Sequence, residues 1–231
     1  MSSTLILTRP DVERLLDRDA LFAQIKRGFT ALATVGPEYR GRRHPVRLPA
    51  PTGGSAGMVL APGLIPGIPA YTVKVNSKFP GHPPAIKGVV VLHSLEDGRI
   101  MAILDSAPIT LAPTAVAGAV GADELARRDA ETVAIIGCGV QGRAQLEWMT
   151  RIRPIKQAYL YDMKVGVARA LADEAGSRLG IDVEEDWENV QLIVDALGPE
   201  SLEWQRIAGL LEQHPAIRQR MAVLNRAEVK I

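Results

Sequence analysis

Thr132-Val-Ala-Ile-Ile-Gly137-Cys138-Gly139-Val140-Gln141-Gly142 is a strongly apolar run that ends in three spaced glycines. Its pattern is a β-strand, a tight turn and the start of a helix. In that context each glycine has a separate task. Gly137 permits the turn, Gly139 lets a pyrophosphate approach the backbone, and Gly142 lets the helix pack on the strand. The helix then offers unpaired N–H groups and a partial positive charge to phosphate. Cys138, Val140 and Gln141 belong to the same turn, so the expected cofactor contacts run from Gly137 to Gly142. For Cys138 a small, inert side chain is the simpler reading.

Strand and helix patterns alternate from this point. A helix is expected at Gln141–Thr150, a strand at Ala158–Tyr161 and a helix at Val165–Leu179. A short strand follows at Asp182–Glu184 and another at Gln191–Ala196. Such alternation predicts a parallel sheet. The second strand leads into Asp162, 20 residues after Gly142. An acidic residue there accepts hydrogen bonds from the adenosine ribose and repels a 2′-phosphate. The cofactor expected is therefore NAD rather than NADP.

The first half has a different texture. Thr8, Pro10 and Asp11 are helix-start signals. Phe22, Ile25, Phe29 and Leu32 continue at helical spacing as far as Gly36-Pro37. Short apolar runs follow at Gly57–Leu60, Ala70–Val75, Val89–Ser94 and Ile100–Leu104. Glu96-Asp97-Gly98 between the last two marks a β-hairpin. This half is expected to be a mostly antiparallel sheet with a helix laid against it. A small-residue helix over Thr114–Arg128 is read as the junction between two domains. The fold class is thus α/β: a Rossmann-type parallel-sheet domain over residues 114–231 and an N-terminal α+β domain over residues 1–113. The tail from Leu202 has helical patches and is free to pack back on the first domain.

Bulk composition narrows the function classes. With 231 residues and 47% hydrophobic content, the chain can bury a sizeable core. A net charge of +1 and 4% aromatic residues argue against a nucleic-acid binder. The single cysteine, Cys138, rules out an intrachain disulfide and any cysteine-cluster metal site, and no metal is expected. Met1-Ser2-Ser3-Thr4 lacks a signal-peptide layout, and no apolar run approaches the roughly 20 residues of a membrane span. A cytoplasmic protein without membrane contact is expected.

The sequence resembles the ornithine cyclodeaminase/mu-crystallin family. The likeness rests on Tyr71-Thr-Val-Lys74-Val-Asn76-Ser-Lys-Phe79-Pro80, Gly88-Val-Val-Val-Leu92, Gly98-Arg-Ile-Met-Ala102, Ile109-Thr110, Leu125-Ala126-Arg127 and Ile135-Ile136-Gly137-Cys-Gly139-Val-Gln141. The resemblance implies that the first half binds substrate and pairs two subunits as a homodimer. It also implies NAD-dependent chemistry at the α C–N bond of a small amino or imino acid, by imine reduction, amino-acid dehydrogenation or cyclodeamination. By position, Arg47 and Lys74 correspond to the cations that hold the substrate carboxylate. Lys74 and His82 are the acid/base candidates. Two departures stand out. Pro113 occupies the place of a further family arginine, and no counterpart of the cyclodeaminase aspartate follows Leu197-Gly198-Pro199-Glu200. Poor or absent ornithine cyclodeaminase activity is expected. Two alternatives stay open at this point: a catalytically degenerate NAD-binding or small-molecule-binding homodimer, and an enzyme repurposed for a substrate without a carboxylate.

Overall fold

The computed structural model describes residues 3–36, 41–48, 56–79, 81–82 and 84–184. The expected strand at Gln191–Ala196, the turn that follows it and the tail from Leu202 lie outside the described residues. The chain divides into two compact units, Met1–Val133 with Cys138–Lys156, and Ala134–Gly137 with Gln157–Ile231.

The first unit is built on a sheet ordered β1-β6-β5-β4-β3-β2. Its strands are β1 (Leu5–Leu7), β2 (His44–Leu48), β3 (Ala56–Leu64), β4 (Ala70–Lys78), β5 (Ile86–Ser94) and β6 (Ile100–Asp105). Every neighbouring pair from β2 to β6 is antiparallel, and β1 runs parallel to β6. The Asp97-Gly98 hairpin joins β5 to β6, with Gly98 at φ +73°. Strands β1 and β2 have no counterpart in the sequence reading. One is three residues long, and the other carries Pro45, which an edge strand tolerates because one side needs no N–H.

The expected N-terminal helix is two helices, α1 (Arg9–Leu15) and α2 (Arg18–Thr34). Thr8 and Asp11 close the start of α1, the Thr8 N–H donating to Asp11 Oδ2 at 3.0 Å. Asp17 starts α2 by accepting from the N–H groups of Asp19 and Ala20. That N-cap was hidden in a charged stretch. Helix α3 (Ser106–Leu125) begins eight residues before the expected Thr114. Asp105 caps it through the Ala107 N–H at 2.8 Å, and Pro113 lies inside the helix rather than before it. A proline there forgoes the bond to the carbonyl four residues back. The hydroxyls of Thr110 and Thr114 bond the Ser106 and Thr110 carbonyls at 2.7 and 2.6 Å, on either side of it.

Helix α4 (Val140–Ile152) packs on α3 through Ala115, Val116, Ala119, Val120 and Trp148. Leu21, Phe22 and Ile25 of α2 close the cluster, with Phe22 stacked on Trp148 at 6.0 Å. Phe29, expected on the same apolar stripe, is 53% exposed. A Cβ at Gly118 would meet the amide end of the Gln145 side chain, which would have to turn aside.

Arg153 closes the end of α3. Its guanidinium is buried and donates to Asp123 Oδ1 at 2.8 Å and to the carbonyls of Ala122, Asp123, Ala126 and Arg127. The Ala122 and Arg127 carbonyls also accept from the N–H groups of Ala126 and Ala130, while Asp123 lies in the last turn of α3, where carbonyls run out of helical partners. Arg153→Met is expected to lower unfolding stability by about 2–3 kcal/mol, measured by urea denaturation, because charged hydrogen bonds are lost inside the protein. The Arg153 bond, with Arg128 and Lys26 nearby, holds the Asp123 carboxyl below its ordinary value. A depressed folded-state pKa contributes stability above the ordinary carboxylate range. That contribution is lost as pH falls through the depressed value, so the gap between wild type and variant should narrow in acid.

The second unit holds the end of β7 (Thr132–Ile136), then β8 (Gln157–Tyr161), α5 (Val165–Leu179) and β9 (Asp182–Glu184). The strand order is β7-β8-β9, with β8 and β9 parallel. Ala158, Leu160, Ala168, Leu171 and Ala175 are buried on one seam. Gly180 ends α5 in the left-handed region at φ +65°. This strand–helix–strand alternation is the Rossmann-type part of an α/β fold, as the glycine turn predicts.

Candidate functional site

The sheet of the first unit has two unlike faces. Cross-strand register puts Lys74 beside Ala61 and Val90, and Asn76 beside Val59 and Gly88. Val90 and Ala102 are buried on this face. Helix α3 reaches it through the Asn76 side chain, whose Nδ2 donates to Thr110 Oγ1 at 3.0 Å. The Thr110 hydroxyl proton is committed to the Ser106 carbonyl, so Thr110 can only accept from Asn76. That settles which end of the amide faces helix α3. The other end, Oδ1, is buried without a partner above Gly88, where a Cβ would stand 2.6 Å away.

A cavity of about 840 Å³ opens on this face. Arg43, Arg47, Lys74 and Lys78 line it, with Thr110 and Thr114 from α3. Lys74, Asn76 and Lys78 alternate along β4 and so share one side of the strand. Arg47 lies across Gly57 from Lys78. Arg43 precedes β2, and continuation of the β2–β3 register brings it toward Ala61, which faces Lys74. The two small residues of β3 leave room between the long cationic arms. Lys74 is half-buried, and burial, with the Arg43 charge second, lowers its ammonium pKa from the ordinary lysine value. No aspartate or glutamate is among the described lining residues. Such a wall is electrostatically suited to an anion, and its half-buried lysine releases a proton more readily than a solvated one.

The cavity therefore brings together Arg47 and Lys74. His82 lies elsewhere: it is exposed, its N–H bonds the Phe79 carbonyl at 3.3 Å, and it does not line the cavity. Arg43, Lys78, Asn76, Thr110 and Thr114 were not singled out as site residues from sequence. The i, i+2, i+4 spacing that Asn76 and Lys78 share with Lys74 was the available signal for two of the five. Helix α3 contains no lysine or arginine, so it adds no cation to the cavity, and Pro113 is not among the described lining residues.

The glycine turn has the shape its sequence requires. Gly137 sits at φ +95°, a conformation that favours glycine, and its N–H bonds the Tyr161 carbonyl at 2.7 Å. Gly139 is the N-cap of α4 and supplies no side-chain cap. A Cβ on Gly139 would meet nothing within 4 Å, so the space above the turn is open. Val140, 71% exposed, and Arg143 line a second cavity of about 400 Å³, with Pro108, Leu111 and Ala112 of α3. Cys138 is buried, and Gln141 and Gly142 lie in the first turn of α4. Asp162 follows β8, and its Oδ1 accepts from the Lys164 N–H at 2.9 Å. Among the described residues no group of His, Cys, Asp and Glu could hold a metal, and no helix is long and apolar enough to cross a membrane.

The sequence profile of the ornithine cyclodeaminase/mu-crystallin family matches residues 3–196. This chain belongs to that family. A Rhizobium meliloti (strain 1021) relative is 30% identical over 204 residues, which is 80% of this chain and 57% of that protein. The structure of Thermococcus litoralis Δ1-pyrroline-2-carboxylate reductase, in complex with NADH and L-proline, superposes with a TM-score of 0.67 at 27% identity. It covers 78% of this chain and 56% of the reductase. An archaeal alanine dehydrogenase dimer with bound NAD gives a TM-score of 0.68 at 26% identity, over 78% of this chain and 55% of its own. The chain thus spans a little over half the length of these relatives.

Proposed function

We propose that the chain binds NAD(H) and acts on the α C–N bond of a small amino or imino acid, as an imine reductase or amino-acid dehydrogenase. The observation that carries this reading is Lys74, a half-buried cation in an anion-binding cavity on the sheet of a family member. Arg47 grips the substrate carboxylate with its planar fork, and Lys74 adds a point charge. Lys74 also holds the proton exchanged with the substrate nitrogen, since its lowered pKa suits a group that must give and take it. The open space above Gly139 and the uncapped start of α4 fit a pyrophosphate. Asp162 takes the adenosine ribose hydroxyls. The bound nicotinamide supplies two-electron exchange with the α-carbon. Domain roles follow the same division, with substrate binding over residues 1–113 and cofactor binding from residue 114.

Pairing of two copies is part of this proposal. The sheet face away from α3 carries Ile6, Val73, Val75, Val89, Val91 and Ile103 by register. None is buried, and Ile6 and Val89 are 75% and 39% exposed. An apolar face of that kind is covered in a stable protein, and a second copy of the same sheet suits it.

The test is thermal denaturation with each cofactor. At about 100 times its dissociation constant, NADH should add about 2.7 kcal/mol of stability, with NADPH less effective at the same concentration. Absence of any shift with NADH would remove the cofactor from the account. Equal shifts with both would remove only the role of Asp162.

A further inference from the structure

Two cations, Arg47 and Lys74, are assigned above to one carboxylate. The cavity holds four, Arg43, Arg47, Lys74 and Lys78, and none has an ion-pair partner among the described residues. They stand at the corners of a quadrilateral. Arg47 and Lys78 flank Gly57, while Arg43 and Lys74 lie to either side of Ala61. The two rows are four residues apart on β4, about 13 Å between backbone positions, and long side chains close that gap from both ends. The remaining polar groups from α3 are the hydroxyls of Thr110 and Thr114, which carry no charge.

We infer that the substrate carries two acidic groups: an amino or imino dicarboxylic acid, with Arg43 and Lys78 holding the acid on its side chain. This rests on the reading of the cavity as a carboxylate site given above. The same wall selects against diamino acids. A side-chain ammonium would enter a space bounded by four positive charges with no described carboxylate to receive it, and like-charge contact in a partly desolvated site is unfavourable. Gly57 and Ala61 serve the selection by keeping the floor between the two rows clear. The substrate must then be produced by a reaction that delivers an amine or imine next to one of two carboxylates, such as amination of a 2-oxo dicarboxylic acid.

The test is calorimetric titration of the intact protein, with and without NADH, using L-aspartate, L-alanine and L-ornithine. The three share an α-amino acid head and differ in side-chain charge. At low ionic strength aspartate should bind roughly tenfold or more tightly than alanine, and ornithine more weakly than alanine. The preference for aspartate should shrink as salt is raised, because Arg43, Arg47 and Lys78 are exposed. Arg43→Gln and Lys78→Gln should each lower aspartate affinity several-fold more than alanine affinity. Equal binding of aspartate and alanine would overturn the inference and leave the carboxylate site standing. Preferential binding of ornithine would overturn it outright. Failure of all three ligands, with NADH present, would overturn both the inference and the carboxylate site.

Discussion

Gly139→Val should abolish NADH binding while leaving the fold intact. Gly139 has φ −69°, which any residue adopts, and a Cβ there meets nothing within 4 Å. Valine is a poorer N-cap than glycine, so a loss of at most about 1 kcal/mol in stability is expected. The branched side chain would nevertheless fill the space through which a pyrophosphate approaches the first turn of α4. A hundredfold loss of affinity would cut NADH-induced stabilisation from about 2.7 to about 0.4 kcal/mol at a concentration that is 100 times the wild-type dissociation constant. The two effects separate cleanly in one experiment, since the unliganded melting temperature reports the fold and the shift reports the site. Undiminished stabilisation of the valine variant by NADH would show that the cofactor does not lie over this turn.

Lys74→Met should remove catalysis and spare stability. Methionine matches the lysine stem, and taking a charge out of a half-buried position relieves its desolvation. The variant loses one charge-assisted contact to the carboxylate, worth about 1.5–3 kcal/mol of binding. It also loses a positioned proton carrier, worth about a hundred- to ten-thousandfold in rate. Both losses fall at one site and need not add. The pH profile distinguishes this role from simple packing. Burial first, and the Arg43 charge second, lower the Lys74 pKa from 10.5. Only the protonated form attracts an anion, so carboxylate affinity should decline as pH rises through that lowered value, at a pH where an ordinary lysine is still charged. The alkaline decline should be absent in Lys74→Met. A variant with wild-type turnover would refute the assignment.

The glycine turn was legible because three local signals agree there: an apolar strand, glycines at fixed spacing and a helix start. The Asp97-Gly98 hairpin was legible for the same reason. Lys74 could be noticed because a charge inside the apolar run Ala70–Val75 needs a use. The partners of Lys74 were harder to read. Arg47 and Lys78 become neighbours through Gly57 on a third segment, and such register depends on long-range pairing that no single window contains. Thr110 and Thr114 reach the cavity only because α3 starts at Ser106, whereas Pro113 in the sequence argued for a later start. The glycine turn is a local device and could be seen locally. The anion cavity is assembled from five separated stretches and could not.

Under the proposed function, this chain couples NADH to an α-imine. The most direct measurement follows NADH consumption while the purified protein is supplied with an amine-forming imino acid, generated from oxaloacetate and ammonia. Each NADH oxidised should appear as one molecule of the amino acid, with NADPH slower and Lys74→Met inactive. NADH that binds with the expected stabilisation but is never oxidised by any imino acid would contradict the claim. The chain would then be a cofactor-binding member of its family without the redox chemistry.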